Sequence, residues 1–300
     1  MPSSSKATIE SPAVTLLSGP RSGRIPPNIG GFASGLVLLL ILAVALAAPL
    51  IAPQDPFAQD LAKRLSPPLG YAGHDPAHLL GTDGFGRDYL SRIIYGSRVS
   101  LAIGATVGLI SGLIGTGIGM IAGYFGGRTD QVLMFILNTR LALPIFLVAM
   151  CVVVLFGPSL IGTVLVLGFF LWDRFAIVVR TATKQAASQD YVTAARSIGC
   201  STAWILLCEI LPNILGTVIV IATIEMANAI LLEASLSFLG FGIQEPTPSW
   251  GLMLAQARQY IFFDPWLLFI PGAALFILVL AINVFGDSLR DLLGAGRAIR

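Results

Sequence analysis

Long apolar segments constrain this 300-residue chain more than any other feature of its sequence. A helix that crosses the hydrocarbon core of a bilayer needs about 20 predominantly apolar residues. Segments of this kind occupy residues 32–52, 100–125, 141–156, 160–179, 214–239 and 266–285. The third is short unless it begins near Val132. Because unpaired backbone polar groups are costly in lipid, the sequence predicts an all-α polytopic membrane protein with six transmembrane helices.

The basic residues predict which side of the membrane each loop faces. Only 11% of the residues are charged, against about 25% in a typical soluble domain. With the N-terminus inside, the cytoplasmic side would hold Lys6, Arg21, Arg24, Arg128, Arg140, Arg180, Lys184, Arg196, Arg290, Arg297 and Arg300. The opposite side would hold Lys63, Arg64, Arg87, Arg92, Arg98 and Arg258, and Arg174 would lie in a span. Since cytoplasmic loops carry the excess of Lys and Arg, the count favours an N-in/C-in topology.

This topology divides the chain into five regions. The N-terminal residues are rich in Ser, Pro and Gly, which is typical of a disordered tail. Leu90, Ile93 and Ile94 recur at helical spacing beside charged residues, which predicts a short interfacial helix before the second span. The regions are a disordered cytoplasmic tail (1–31), a first transmembrane helix (32–52), an extracytoplasmic loop with the interfacial helix (53–97), a five-helix core (98–291) and a cytoplasmic tail (292–300).

One polar segment, residues 180–213, interrupts the apolar pattern on the predicted cytoplasmic side. Ser188 can cap a helix, and Gly199 can end that helix in the left-handed conformation. Ser201 can cap a second helix, which is expected to end at Pro212. The segment is therefore predicted to form two helices joined by a glycine turn.

Small residues in this segment favour close contact with another protein. The side chains at Ala194, Ala195 and Gly199 are too small to fill space themselves, so another surface can approach the backbone closely. A cytoplasmic interruption of this kind in a membrane protein favours contact with a soluble partner.

Charged side chains inside the predicted spans need an explanation, because each costs a few kcal/mol at the centre of a bilayer. Asp173 and Arg174 lie side by side in the fourth span, where they could extend partly toward the membrane surface or pair with other helices. Glu225, with Asn228 one turn further on, could line a polar path through the bundle or have a structural role. Glu233 lies nearer the outer end of the same span, where a structural role is the better interpretation.

Glycines at intervals of four residues leave grooves along the second span. The two rows are Gly104, Gly108 and Gly112, and Gly115, Gly119 and Gly123. Such rows let another helix pack closely, either within the subunit or across a subunit interface. Internal packing is favoured, since every bundle must first pack its own helices.

Sequence patterns for catalysis, nucleotide binding and metal ligation are absent. The chain has no GxxxxGK[ST], HExxH or GxSxG motif. His74 and His78 are separated by Pro76 and are interpreted as solvated residues, and the loop from Asp83 to Asp88 lacks the ligand pattern of a calcium site. We therefore expect a non-enzymatic chain without metal or cofactor. A net charge of +2 gives no reason to expect a nucleic-acid partner.

Several motifs together carry a resemblance to a known family. The segment DYVTAARSIG at 190–199, followed by Leu211-Pro212-Asn213, resembles the EAA loop of ABC importer permeases. HLLGTDGFGRDYLSRIIYGSRVSLAIG, LFGPSL, LEASLSFLGFGIQEPTPSWG and PGAALFILVLAINVFGDSLRD are similar to the dipeptide/oligopeptide/nickel subgroup. Within that subgroup, the chain resembles the second permease subunit of the pair, from about residue 30 to residue 291.

The resemblance implies a type I importer fold in a bacterial or archaeal cytoplasmic membrane. Such a subunit forms a heterodimer with a homologous permease and works with two cytoplasmic ATPases and an extracytoplasmic binding protein. The loop would be the coupling helix on the ATPase, which leaves ATP hydrolysis to the partner. The carried-over residues are Ala194, Ala195 and Gly199 for close approach, Tyr191 and Arg196 as flanking residues, and Leu211-Pro212 as the end of the loop.

Departures from the family pattern concern particular contacts of the loop and not the class of protein, while the substrate stays open. Thr193 stands where the glutamate of the loop would be, and Glu209 stands where a histidine or an apolar residue is usual. Relatives with these motifs handle peptides, nickel chelates, glutathione and other solutes. An alternative is an autonomous channel or ion-coupled secondary transporter that uses Glu225 and Asp173, but such a carrier has no need of a docking loop.

Overall fold

The computed structural model describes residues 27–295, which are helical apart from the connecting loops. Five helical segments are long and apolar enough to cross a membrane, and a bent pair of helices provides a sixth crossing if it counts as one span. The expected all-α, six-span architecture is therefore confirmed, with one broken span. The helices are α1 (Pro27–Ile51), α2 (Tyr89–Phe125), α3 (Gly127–Leu141), α4 (Ile145–Phe156), α5 (Leu160–Phe170), α6 (Asp173–Ala187), α7 (Asp190–Ser197), α8 (Thr202–Trp204), α9 (Leu211–Phe238), α10 (Trp250–Ala257) and α11 (Trp266–Ala295).

The terminal helices extend beyond the predicted spans. α1 begins at Pro27, so residues 28–31 are helical and do not belong to a tail. Proline is favoured in the first turn of a helix because its missing N–H would have no partner there. At the other end, α11 continues to Ala295. The rest of the two predicted tails, residues 1–26 and 296–300, lies outside the described residues.

The second span starts earlier than the sequence indicated. The residues predicted as a separate interfacial helix are the first turns of α2, which runs without a break from Tyr89 to Phe125. The Asp88 carboxylate caps this helix by accepting a hydrogen bond from the Ser91 N–H at 2.8 Å. No proline follows before the membrane, so nothing separates an interfacial helix from the span.

The third span is bent by 72° between α3 and α4. Pro144 occupies the N-cap of α4 with an extended backbone. A proline cannot donate the hydrogen bond that would continue α3, and it keeps the preceding residue out of the helical conformation. The third span is therefore two shorter helices. The predicted range 141–156 corresponds to α4, and the earlier start considered near Val132 falls within α3, which begins at Gly127.

The second helix of the polar segment does not end at Pro212 but runs on into the fifth span, which corrects the prediction for Leu211-Pro212. Helical structure is continuous from Thr202 to Phe238. It passes through a π-helical turn at Ile205–Ile210, and Pro212 then occupies the first turn of α9. The wider turn changes the hydrogen-bond register, so a residue without an N–H is tolerated just after it.

Glycines of α2 place its backbone directly against α6. A Cβ at Gly115 would clash with the Trp172 carbonyl oxygen, and one at Gly119 would lie 2.8 Å from the Ala176 carbonyl oxygen. Further along α2, a Cβ at Gly104 would meet Ile230 of α9. Internal helix packing, the favoured interpretation of the glycine rows, is confirmed.

A charge cluster that is buried except at Glu245 holds the outer ends of the helices together. Arg87 binds both carboxylate oxygens of Glu245, at 2.7 and 2.8 Å, and its Nε donates to Asp83 Oδ2 at 2.7 Å. Arg92 is fully buried and lies 3.4 Å from a carboxylate oxygen of each acid. The cluster ties the loop between α1 and α2 to the loop between α9 and α10.

His78 belongs to this packed region, so its interpretation as a solvated residue is wrong. Its side chain is buried, and Nδ1 lies 3.0 Å from Asp88 Oδ1. Asp88 uses its other oxygen to cap α2. The imidazole is therefore held inside because it partners a helix-capping carboxylate, whereas His74 is exposed as expected.

The helix contact at Gly115 yields a matched pair of variants. Gly115→Ala should destabilise the subunit by about 1–3 kcal/mol, because the new methyl group would meet the α6 backbone and force the helices apart. Gly117→Ala lies on the same helix with nothing within 4 Å of the added Cβ, so it should have little effect. The midpoints of thermal unfolding in detergent measure the difference, and equal midpoints would contradict the close packing.

The charge cluster predicts a dependence of stability on pH. Burial alone would raise the pKa of Glu245, but the Arg87 hydrogen bonds and the Arg92 charge outweigh it and lower that pKa below its usual range. A lowered folded-state pKa means that Glu245 stabilises the fold above its ordinary pKa, and that this contribution is lost as the pH falls through the folded-state value.

Glu245→Gln should therefore lower the thermal midpoint at pH 7 and flatten the loss of stability on acidification. A fall of about 2–4 °C corresponds to about 1 kcal/mol in a chain of this size. Asp55→Asn, at an exposed acid on the same side, is the control. Identical midpoints for Glu245→Gln and the wild type at pH 7 would show that the cluster does not stabilise the fold.

Candidate functional site

The polar segment folds into the short helix α7, followed by a glycine turn. Gly199 has φ of +86°, the left-handed conformation expected of it, and its N–H donates to the Arg196 carbonyl at 3.0 Å. Ser201 caps the next helix by accepting from the Trp204 N–H, as predicted. Ser188 does not cap α7, because it ends α6 with a non-extended backbone, and its Oγ donates to Gln185.

The two faces of α7 have different environments. Val192 and Ala195 are buried and pack against Ile205 and Ile210. The close approach at Ala195, which is only 6% exposed, is therefore made by helices of its own subunit. Ala194 is exposed and remains accessible to another protein.

The exposed face of α7 forms a continuous surface on the predicted cytoplasmic side. Tyr191, Ala194 and Ile198 are spaced three and four residues apart, so they share one side of the helix. We call these three residues, together with the exposed Gly199, the docking surface. Ile198 is 81% exposed and was not singled out by the sequence analysis. An apolar residue next to the turn glycine of a polar loop is the signal that could have identified it.

Arg196 faces the body of the subunit. Its Nε donates to the Tyr124 hydroxyl at 3.1 Å, and its guanidinium carbon lies 4.7 Å from the centre of the Tyr124 ring. Arg196 therefore attaches α7 to the end of α2. Leu211 and Pro212 lie further on, within the helix that leads into the membrane, where Leu211 is half-buried and Pro212 is exposed.

The three residues predicted to line a polar path share one cleft of about 460 Å³. Asp173 is at the start of α6, while Glu225 and Asn228 belong to the middle of α9. Asn228 Nδ2 donates to Glu225 Oε1 at 3.2 Å. The structure therefore brings Glu225, Asn228 and Asp173 together.

Two arginines complete the cleft by forming ion pairs between helices. Arg174 Nη1 lies 3.3 Å from Glu225 Oε1, and Arg140 Nη1 lies 3.1 Å from Asp173 Oδ2. The prediction that Asp173 and Arg174 pair with other helices is confirmed. Arg140 was missed because its position in the sequence indicates only a cytoplasmic cation, whereas the packing of α3 beside α6 brings it to Asp173.

Glu233 has the structural role expected of it. Its buried carboxylate accepts hydrogen bonds from Ser237 Oγ at 2.7 Å and from Ser249 Oγ at 3.4 Å. Ser237 Oγ in turn accepts from the Ile243 N–H. Glu233 therefore holds the loop that follows α9, away from the cleft.

Comparisons with known proteins agree with this architecture. Residues 115–298 match the binding-protein-dependent transport system inner membrane component, and residues 28–68 match the N-terminal transmembrane domain of oligopeptide transport permease C. A permease chain of the MetNI methionine ABC transporter, solved in inward-facing conformations, superposes with a TM-score of 0.55 at 19% identity, covering 67% of this chain and 96% of that one. That likeness shows a type I importer permease fold.

Curated relatives are similar over most of their length. The di/tripeptide transport system permease protein DppC of Pseudomonas aeruginosa is 42% identical over 89% of this chain and 88% of its own length. The dipeptide permease DppC of Escherichia coli K12 is also 42% identical, over 89% of both chains. The chain thus belongs to the binding-protein-dependent transport-system inner-membrane components, the non-catalytic, multi-pass permease subunits of ABC importers.

Proposed function

We propose that this permease forms one half of the translocation path of an ATP-driven importer of peptides or related small solutes. The names of its relatives support a peptide substrate, since two of them at 42% identity are di- or tripeptide permeases. A homologous permease would complete the path as the other half of a heterodimer. Two cytoplasmic ATPases would bind below the membrane, and an extracytoplasmic binding protein would deliver the solute.

The observation that carries this proposal is the helical connection between the docking surface and the cleft. α6 carries Asp173 and Arg174 at its start and ends at Ala187, directly before α7. The continuous helical segment Thr202–Phe238 begins just after the glycine turn and carries Glu225. Both helices that flank the docking surface therefore also supply charges to the cleft, so a displacement of α7 can alter the cleft.

Each part of the loop has a role in this mechanism. Ala194 and Gly199 allow the ATPase to approach the backbone, and the exposed Ile198 offers an apolar anchor. Ala195 and Arg196 hold α7 to its own subunit, so that force on the docking surface moves the subunit. The π-helical turn before Pro212 joins this assembly to α9 without a break.

Ala194→Arg should prevent docking because a long charged side chain would project from the surface that the ATPase approaches. We expect ATP-dependent uptake and co-purification of the ATPases to fall about tenfold or more, the effect of losing about 1.4 kcal/mol or more of binding free energy. The thermal midpoint of the isolated subunit should stay unchanged, since Ala194 is exposed.

Two controls complete this experiment. Ala58→Arg places the same change at an exposed alanine on the opposite side of the membrane and should leave ATPase co-purification intact. Ala195→Arg should lower the thermal midpoint of the subunit, because Ala195 is buried. Unchanged co-purification and uptake with Ala194→Arg would show that the docking surface is not used.

The alternative, an autonomous channel or ion-coupled carrier, is expected to transport solute differently in reconstituted vesicles. Such a carrier would move solute without ATP, using Glu225 and Asp173 as coupling groups. The complete importer should instead accumulate peptide only when ATP reaches the ATPases. Full transport in ATP-free vesicles would contradict the proposed function.

A further inference from the structure

Equal numbers of opposite charges line the cleft. Arg140 and Arg174 supply two positive charges, and Asp173 and Glu225 supply two negative ones. The cleft therefore has no net charge but strong local dipoles. It lies midway along α9 and at the start of α6.

Arg174 has donors to spare for a ligand. Its side chain is 59% exposed, and among the described residues its hydrogen bond is a single one, from Nη1 to Glu225. A guanidinium offers five N–H donors in a planar fork that matches a carboxylate. The remaining donors suit a carboxylate group that enters the cleft.

Glu225 has an acceptor to spare. Oε1 accepts from Arg174 and Asn228, while Oε2 is buried and has no hydrogen-bond partner. A buried carboxylate oxygen without a partner is costly, so an ammonium group that reached Glu225 as Arg174 turned to the solute carboxylate would gain more there than in water. An ammonium group supplies three such donors.

The charge balance also selects against other solutes. A solute with one net charge would leave one charge uncompensated inside the membrane, which is costly. A zwitterion brings a carboxylate for Arg174 and an ammonium group for Glu225, so every charge keeps a partner. A neutral solute would have to separate the ion pair without replacing it.

We propose that the cleft recognises zwitterionic solutes by their two ends, with Arg174 receiving the carboxylate and Glu225 receiving the ammonium group. This inference rests on the proposed function of the chain as half of a solute path. The permease itself would then bind the two termini of the solute after the binding protein has released it.

End-blocked peptides test this recognition in the complete importer, reconstituted in vesicles with ATP on the ATPase side. The probes are dialanine, dialanine amide, which lacks the carboxylate, and N-acetyl-dialanine, which lacks the ammonium group. Uptake is compared at equal occupancy of the binding protein, measured separately by calorimetry. The wild type should take up dialanine about tenfold faster than either blocked peptide, which corresponds to about 1.4 kcal/mol.

The variants should lose discrimination selectively. Arg174→Gln should bring the ratio of dialanine to dialanine-amide uptake toward one, and Glu225→Gln should do so for the ratio of dialanine to N-acetyl-dialanine. Arg174→Lys should keep part of the discrimination, since it retains the charge. Arg98→Gln, at an exposed arginine outside the cleft, should leave both ratios unchanged.

Two results would overturn the inference. One is a wild type that takes up all three probes equally at equal occupancy. The other is a pair of variants in which uptake of every probe falls by the same factor, because a merely structural ion pair would lower transport without changing the ratios. Failure of the wild type to accumulate any probe with ATP is a separate result, which would contradict the proposed function itself.

Discussion

The pairing of charges inside an apolar layer is the constraint on which the rest of this subunit depends. An isolated charge in a span costs several kcal/mol, so each must find a partner on another helix. Arg174 joins α6 to α9 through Glu225, and Arg140 joins α3 to α6 through Asp173. Because one helix carries both links, α6 cannot move without altering the surroundings of the cleft.

Close packing of small residues gives α6 a rigid neighbour. The glycines of α2 let the two backbones touch over several turns, so these helices are expected to move as one body. Arg196 attaches α7 to the same body through Tyr124 at the end of α2. The docking surface is therefore attached to the closely packed helices α2 and α6, although α7 itself has only eight residues.

Sequence patterns predicted what depends on local composition. The spans follow from apolar length, the left-handed turn follows from Gly199, and the cytoplasmic loop follows from its charges and small residues. The path residues Glu225, Asn228 and Asp173 could be proposed because charge in a span is rare. These features need no knowledge of which helices are neighbours.

The features that escaped prediction depend on contacts between distant segments. Arg140 reaches the cleft because α3 packs beside α6, and His78 is buried because Asp88 needs a second partner. Pro212 was expected to end a helix, but no sequence pattern indicated the π-helical turn that precedes it. The burial of Ala195 beside the exposed Ala194 likewise follows from which side of α7 meets the π-helical segment.

A distance across the cleft shows whether the docking surface and the cleft move together. Spin labels at Leu143, in the connection between α3 and α4, and at Ser235 of α9 report that distance in the complete importer after the three native cysteines are replaced. The distance should differ between the nucleotide-free and ATP-trapped states, and Ala194→Arg should abolish the difference. The same distance in both states, or a change that persists with Ala194→Arg, would contradict this coupled movement.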